Sequence, residues 1–133
     1  MRLPSLLALS LTVLLATPSS ADYWAKFCSD EDCNDCGQNV NMKNTGCLKQ
    51  TGRKSVYITS NGFAEADNPG KLYRLLSTPN DQCSCQSQCK NFAMSSTSTN
   101  ECIRLVDEGG KDMDDALSFR FVPKGLCKDG YNC

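Results

Sequence analysis

Residues 81–89 read Asp81-Gln82-Cys83-Ser84-Cys85-Gln86-Ser87-Gln88-Cys89 and place three cysteines within seven positions. A disulfide needs its Cα atoms roughly 4.4–6.8 Å apart, with side chains that point together. Cys83 and Cys85 would close a very small, strained ring. Cys85 and Cys89 are four apart, so on a helix they would share a face with both side chains pointing outward. The expectation is that all three sulfurs reach distant cysteines, and that this hub ties both ends of the chain.

Cys28, Cys33, Cys36 and Cys47 precede the hub, and Cys102, Cys127 and Cys133 follow it. Ten is an even count, so five bridges with no free thiol is the simplest reading. Their connectivity is not derivable, because on the order of a thousand pairings exist. The chain opens as a secretory signal: Arg2, an apolar run over residues 6–16, Pro18, then Ser19-Ser20-Ala21. The run is shorter than the roughly 20 residues that a membrane span takes. The expected organisation is a signal peptide over residues 1–21 and one secreted domain over 22–133. Ten cysteines in a domain of that size fall in the range of a disulfide scaffold.

The whole chain has 14 Lys and Arg against 15 Asp and Glu, a net charge of −1, and no histidine. Near-neutrality argues against nucleic acid as a partner, which calls for a basic stripe. It argues equally against a polybasic membrane binder.

Tyr23, Ala25 and Phe27 alternate with Trp24 and Lys26, as on a strand. Trp24 is either a binding anchor or a core residue beside Cys28. The need of a small domain for every large apolar side chain favours the core. Residues 28–47 hold four cysteines and four acids among Asn and Gly, a loop composition. Asp30, Asp32 and Asn34 begin a calcium-loop pattern that fails at Asp35 and Asn41. Cys33-x-x-Cys36 has zinc spacing, but in an exported chain bridges are the expected use.

Residues 55–60, SVYITS, form the clearest strand, and Asn61-Gly62 then signals a turn. Residues 71–77, KLYRLLS, fit either a strand, with Tyr73 and Leu75 on one face, or a short helix, with Leu72, Leu75 and Leu76 on one face; the short length between turn signals favours the strand. Asp81 is a candidate cap for a helix through the hub that ends near Ala93 and Met94. Residues 95–100 are a polar loop. Residues 101–107 and 118–123 read as two strands of a long-looped hairpin, with Ile103 and Leu105 over Phe119 and Phe121. Arg120 would then face Arg104 or Asp107. The fold class expected is α+β: a small disulfide-rich domain with an antiparallel sheet and one short helix.

The lack of histidine removes the triad, the Cys-His pair and most zinc catalysis. Acidic runs at 30–35 and 112–115 sit in loop sequence, where carboxylates stay ionised. No metal or cofactor is expected, and N-x-Ser/Thr sequons are absent. Lys49, Arg53 and Lys54, joined by Lys124 and Lys128, are candidates for contact with an acidic partner. Solvated lysines are the commoner explanation.

A leader, a short mature chain, many paired cysteines and no catalytic signature resemble the small secreted cysteine-rich proteins of filamentous fungi, effector-like or killer-toxin-like. The Cys83-Ser84-Cys85 triplet is similar to the C-x-C of plant lipid-transfer proteins and fungal CFEM domains. The adjacent Cys-Cys pair of the former is missing, and the gap from Cys47 to Cys83 is wider than in the latter. The resemblance implies a monomeric, non-enzymatic effector or toxin that binds an extracellular protein or cell-surface molecule of a host or competitor. The alternatives are a small carboxylate-dependent cell-wall hydrolase, a lipid or small-molecule carrier lined by Leu72, Leu75, Leu76 and Met94, and a protease inhibitor.

Each bridge contributes roughly 2–4 kcal/mol by restricting the unfolded chain. Reduction with a thiol is therefore expected to unfold the domain. Retention of near-UV dichroism and protease resistance after reduction would refute this.

Overall fold

The computed structural model describes residues 23–60, 72–93, 100–123, 127 and 133. The expected signal peptide and the expected turn at Asn61-Gly62, together with the Leu72 side chain, Met94, the polar run at 95–99, and Lys124 and Lys128, lie outside the described residues. Eight strands are present: β1 (Tyr23–Cys28), β2 (Cys36–Asn41), β3 (Leu48–Lys49), β4 (Ser55–Ser60), β5 (Leu72–Thr78), β6 (Gln88–Ala93), β7 (Asn100–Arg104) and β8 (Ser118–Pro123). They form two four-stranded sheets, ordered β2-β1-β4-β7 and β3-β8-β5-β6. Every pairing is antiparallel.

No helix occurs among the described residues, so the α+β expectation is corrected to all-β. The helix assigned to the hub is in fact a tight loop followed by β6. Asn80 Oδ1, not Asp81, accepts the N–H of Gln82 and makes a turn there. Gln88–Ala93 then pairs along β5, from Ser77↔Gln88 to Leu72↔Ala93. A complete edge of backbone partners outweighs a helix that would leave Phe92 uncovered.

Residues 28–47 are also not all loop. β2 lies within them as an exposed edge strand, opposite β1 from Trp24↔Asn41 to Cys28↔Cys36. Residues 101–107 and 118–123 do not form a hairpin, because β7 pairs with β4 while β8 pairs with β5 and β3. Ile103, Leu105, Phe119 and Phe121 do share one core, approached from opposite sheets. Arg120 stands opposite Leu76 instead of Arg104 or Asp107.

The core follows strand parity. Tyr23, Ala25, Phe27, Val56 and Ile58 face Tyr73, Leu75, Phe92, Phe119 and Phe121, and Met42, Leu105, Met113 and Ala116 complete the cluster. Phe27 packs on Phe119 and Phe121 with ring centroids 5.0 and 5.9 Å apart, within the favourable aromatic range. Tyr23 meets Tyr73 edge to face at 5.8 Å.

The molecule is built from one motif used twice. In each half the first, second and fourth strands lie together (β2-β1-β4 and β6-β5-β8), while the third crosses to the opposite sheet as β3 or β7. This is a Greek-key path with its third strand exchanged. Equivalent atoms make equivalent bonds. Ser55 Oγ donates to Asp30 O at 2.6 Å, and Ser118 Oγ donates to Asn80 O at 2.6 Å. Lys54 N–H bonds Cys28 O as Leu117 N–H bonds Thr78 O, and Gln50 N–H bonds Leu117 O as Leu105 N–H bonds Lys54 O. Lys49 pairs with Asp81 as Arg104 pairs with Glu31. Cys33 and Cys83, three residues beyond Asp30 and Asn80, both hold positive φ, at 58° and 50°.

Ser55 and Ser118 are fully buried, and each anchors a hairpin folded back over its sheet. Removing a buried hydroxyl strands its acceptor at a cost of about 1–3 kcal/mol. Ser55→Ala and Ser118→Ala are each expected to lose about that much in urea denaturation. A loss confined to one serine would show that the repeat is geometric but not energetic.

Candidate functional site

All ten cysteines are paired: Cys28–Cys36, Cys33–Cys102, Cys47–Cys83, Cys85–Cys133 and Cys89–Cys127. The three hub cysteines reach distant partners, as their spacing required. The hub does not hold both ends, however. It takes Cys47 and the C-terminal Cys127 and Cys133, while Cys28, Cys33 and Cys36 are bridged without it. Cys33–Cys102 and Cys47–Cys83 are equivalent bridges: each joins a folded hairpin to the exchanged strand of the other half, in β7 or just before β3. Cys33 and Cys36 go to different partners. Five bridges in so small a domain fit a secreted, cysteine-rich protein. Among the described residues no helix is long and apolar enough to cross a membrane.

The outer faces of the two sheets differ. On the first sheet, Asn41, Trp24, Thr59 and Asn100 form one cross-strand row, and Asn39, Lys26, Tyr57 and Cys102 form the next. Trp24 is 39 % exposed, which corrects the core assignment. Parity decides its side: Tyr23 and Phe27 point inward, so Trp24 points out. Its strand mate Lys26 lies next to Tyr57, and neither row contains a carboxylate. This is a flat face of one indole, one phenol and three amides, able to stack on an apolar surface and to exchange hydrogen bonds beside it.

On the second sheet the equivalent positions are Arg74, Leu76, Arg120, Val122, Cys89 and Asn91. This face is tied to the C-terminal segment through Cys89–Cys127, with the Cys127 N–H donating to Asn91 Oδ1.

Among the described residues the basic candidates do not form a patch. Lys49 Nζ is 3.6 Å from Asp81, and Arg53 is spent on Gln50 Oε1 and Ser29 Oγ. Lys54 lines a cleft of about 140 Å³ with Glu31, Arg104, Leu105, Asp112 and Asp114. The two acidic runs meet in this cleft, which their separation in sequence did not reveal. Arg104 Nη2 lies 3.1 Å from Glu31 and 3.2 Å from Asp112, so these carboxylates share a guanidinium. Half-exposed pairs of this kind stabilise little. Of the four apolar residues considered for a carrier, Leu75 is in the core and Leu76 faces outward, so these two share no chamber, while Met94 and the Leu72 side chain lie outside the described residues.

Asp30, first of the calcium-like residues, instead organises its own hairpin. Its carboxylate accepts the N–H groups of Asp35, Asn34 and Asp32. The N–H of Asp35 and then that of Asn34 hold its pKa below the ordinary value of 3.8. Asp107 is also lowered. Desolvation pushes it up, but the Lys111 N–H, the Gln88 amide, the Gly109 N–H and the charge of Lys111 together outweigh that. A lowered folded-state pKa stabilises fully above the unfolded value and less as pH falls through the folded one. Thermal stability is therefore expected to decline below about pH 4, where the unfolded carboxylates begin to bind protons. Asp30→Asn should flatten that decline and lower the melting temperature at pH 7. An unchanged pH profile would show that the turn does not depend on the charge.

Comparison with protein-family models, curated proteins and solved structures finds no match to the chain.

Proposed function

We propose that the protein is a secreted effector or toxin that acts without catalysis, by docking a cell-surface molecule of a host or competitor on the outer face of the β2-β1-β4-β7 sheet. One observation carries this reading: Trp24 stands exposed on a sheet face free of carboxylates, whereas the matching face in the other half is bridged from Cys89 to Cys127. The fold does not require an indole there, since Arg74 occupies the matching place on β5. Tryptophan and tyrosine dominate the energetics of binding surfaces because each buries much area at little entropic cost.

The frame supports the same reading. A sheet whose two edge strands, β2 and β7, are each held by a disulfide presents its face rigidly, which reduces the ordering cost of association. The crossed disulfides also suit a protein that must last among extracellular proteases. The cleft that gathers carboxylates does not favour a hydrolase, because Arg104 lies between Glu31 and Asp112.

The test is to apply the oxidised protein to host tissue and competing microbes, and to measure surface binding of the wild type and of Trp24→Ala/Tyr57→Ala. Loss of two anchors is expected to weaken binding by about thirtyfold or more, corresponding to about 2 kcal/mol, with all five bridges retained. Undiminished binding, or turnover of a glycan or peptide by the wild type, would refute the reading.

A further inference from the structure

Several basic side chains are spent inside the molecule. Lys49 pairs with Asp81, Arg53 donates to Gln50 and Ser29, Arg104 pairs with Glu31 and Asp112, and Lys90 Nζ donates to Val106 O. On the outer face of the β2-β1-β4-β7 sheet the opposite holds. Among the described residues, the Lys26 ammonium, the Tyr57 hydroxyl and the side-chain amides of Asn39 and Asn100 make no hydrogen bond or ion pair within the molecule.

Two aromatic rings stand among these polar tips. Trp24 is opposite Thr59, and Tyr57 lies two positions away on β4, so the pair occupies diagonal sites about 7–8 Å apart. The pairing of β1 with β4 and of β4 with β7 runs without a bulge, so the face is regular over three strands. A row across all four strands spans about 14 Å. The two rows hold one cation, no carboxylate and no aliphatic side chain. A polyanion would call for several cations here. A protein partner would call for an apolar centre richer in aliphatic, Met or Arg side chains.

We propose that the molecule docked here is a neutral, ribbon-like β-linked polysaccharide of the cellulose or chitin type, an assignment that rests on the Trp24 face being the docking surface. A pyranose ring in such a chain carries C–H groups on its two faces and oxygen groups around its rim. The C–H groups are slightly positive and settle on the electron-rich faces of Trp24 and Tyr57, one sugar to each ring. The rim meets the amides of Asn39 and Asn100, which donate and accept as hydroxyls do. Lys26, beside Tyr57, adds a further donor. An extended β-linked chain lays successive sugars along a straight row, whereas an α-linked chain coils away from a regular sheet.

Trp24 is the only tryptophan in the chain, so intrinsic tryptophan fluorescence reports on this face alone. Titration of the oxidised protein with cellohexaose and with chitohexaose is expected to shift the emission along a saturable curve. A shift with one of the two identifies which polymer is bound, and a shift with both identifies their shared backbone as the ligand. Maltohexaose, which is α-linked, and oligogalacturonate, which is anionic, should leave the emission unchanged at equal concentration. Tyr57→Ala keeps the probe and should weaken binding by about tenfold or more. Trp24→Ala should lower retention on the insoluble polymer to a similar degree. No saturable shift with either hexaose, an equal response to maltohexaose or oligogalacturonate, or unchanged binding in either variant would overturn the assignment. Tissue binding that needs Trp24 and Tyr57 but is displaced by neither hexaose would keep the docking face and replace the polysaccharide with a protein. Tissue binding indifferent to both residues would sink the docking face, and the assignment with it.

Discussion

The exchange of one strand between the two halves is the constraint on which the rest of the molecule depends. β3 completes the sheet of the second half and β7 completes that of the first. Neither half can therefore close its own core. Phe27 finds its aromatic partners in Phe119 and Phe121, and Tyr23 finds Tyr73, only when both halves are present. The two equivalent bridges follow the same logic. Cys33–Cys102 and Cys47–Cys83 each run from a hairpin of one half to the exchanged strand of the other, and so fasten the interlock at its two ends. The buried hydroxyls of Ser55 and Ser118 set the hairpins in the positions from which those sulfurs meet.

Much of the strand pattern is legible in the chain because inward and outward residues alternate cleanly where one face is buried. Tyr23, Ala25 and Phe27 on β1, Val56 and Ile58 on β4, and Tyr73 and Leu75 on β5 all lie on the faces their spacing implies. β2 is not legible, since an exposed edge strand of Gly, Gln and Asn carries no apolar alternation. β6 reads as helix because Cys85 and Cys89 are four apart and a capping residue precedes them. Its pairing with β5 is a long-range fact that no local pattern records. The internal repeat is hidden for a related reason. The spacing between equivalent residues drifts from 50 at Tyr23 and Tyr73 to 63 at Ser55 and Ser118. The matches are also chemical and not literal: Glu31 with Asp81, Lys49 with Arg104, Asp30 with Asn80.

The candidate sites divide along the same line. Parity alone placed Trp24 outside with Lys26, and the appeal to core demand overrode a signal that was correct. The placement of Arg120 beside the hub loop could not be found in advance, because that loop closes over a strand about 35 residues away in sequence. The acidic runs illustrate the opposite case. Their composition suggested scattered solvated charge, yet the chain path draws Glu31 and Asp112 onto one guanidinium.

The bridge order carries a consequence for biosynthesis. Cys28 and Cys36 are eight residues apart and can join as soon as the first hairpin emerges, whereas Cys85 and Cys89 must wait 48 and 38 residues for Cys133 and Cys127. During export those two thiols are unoccupied while Cys28, Cys33, Cys36 and Cys47 are already within reach. Cys33 waits longer still, 69 residues for Cys102, so the order in which sulfurs arrive leaves thiols in both halves open to wrong partners until the last strands are made.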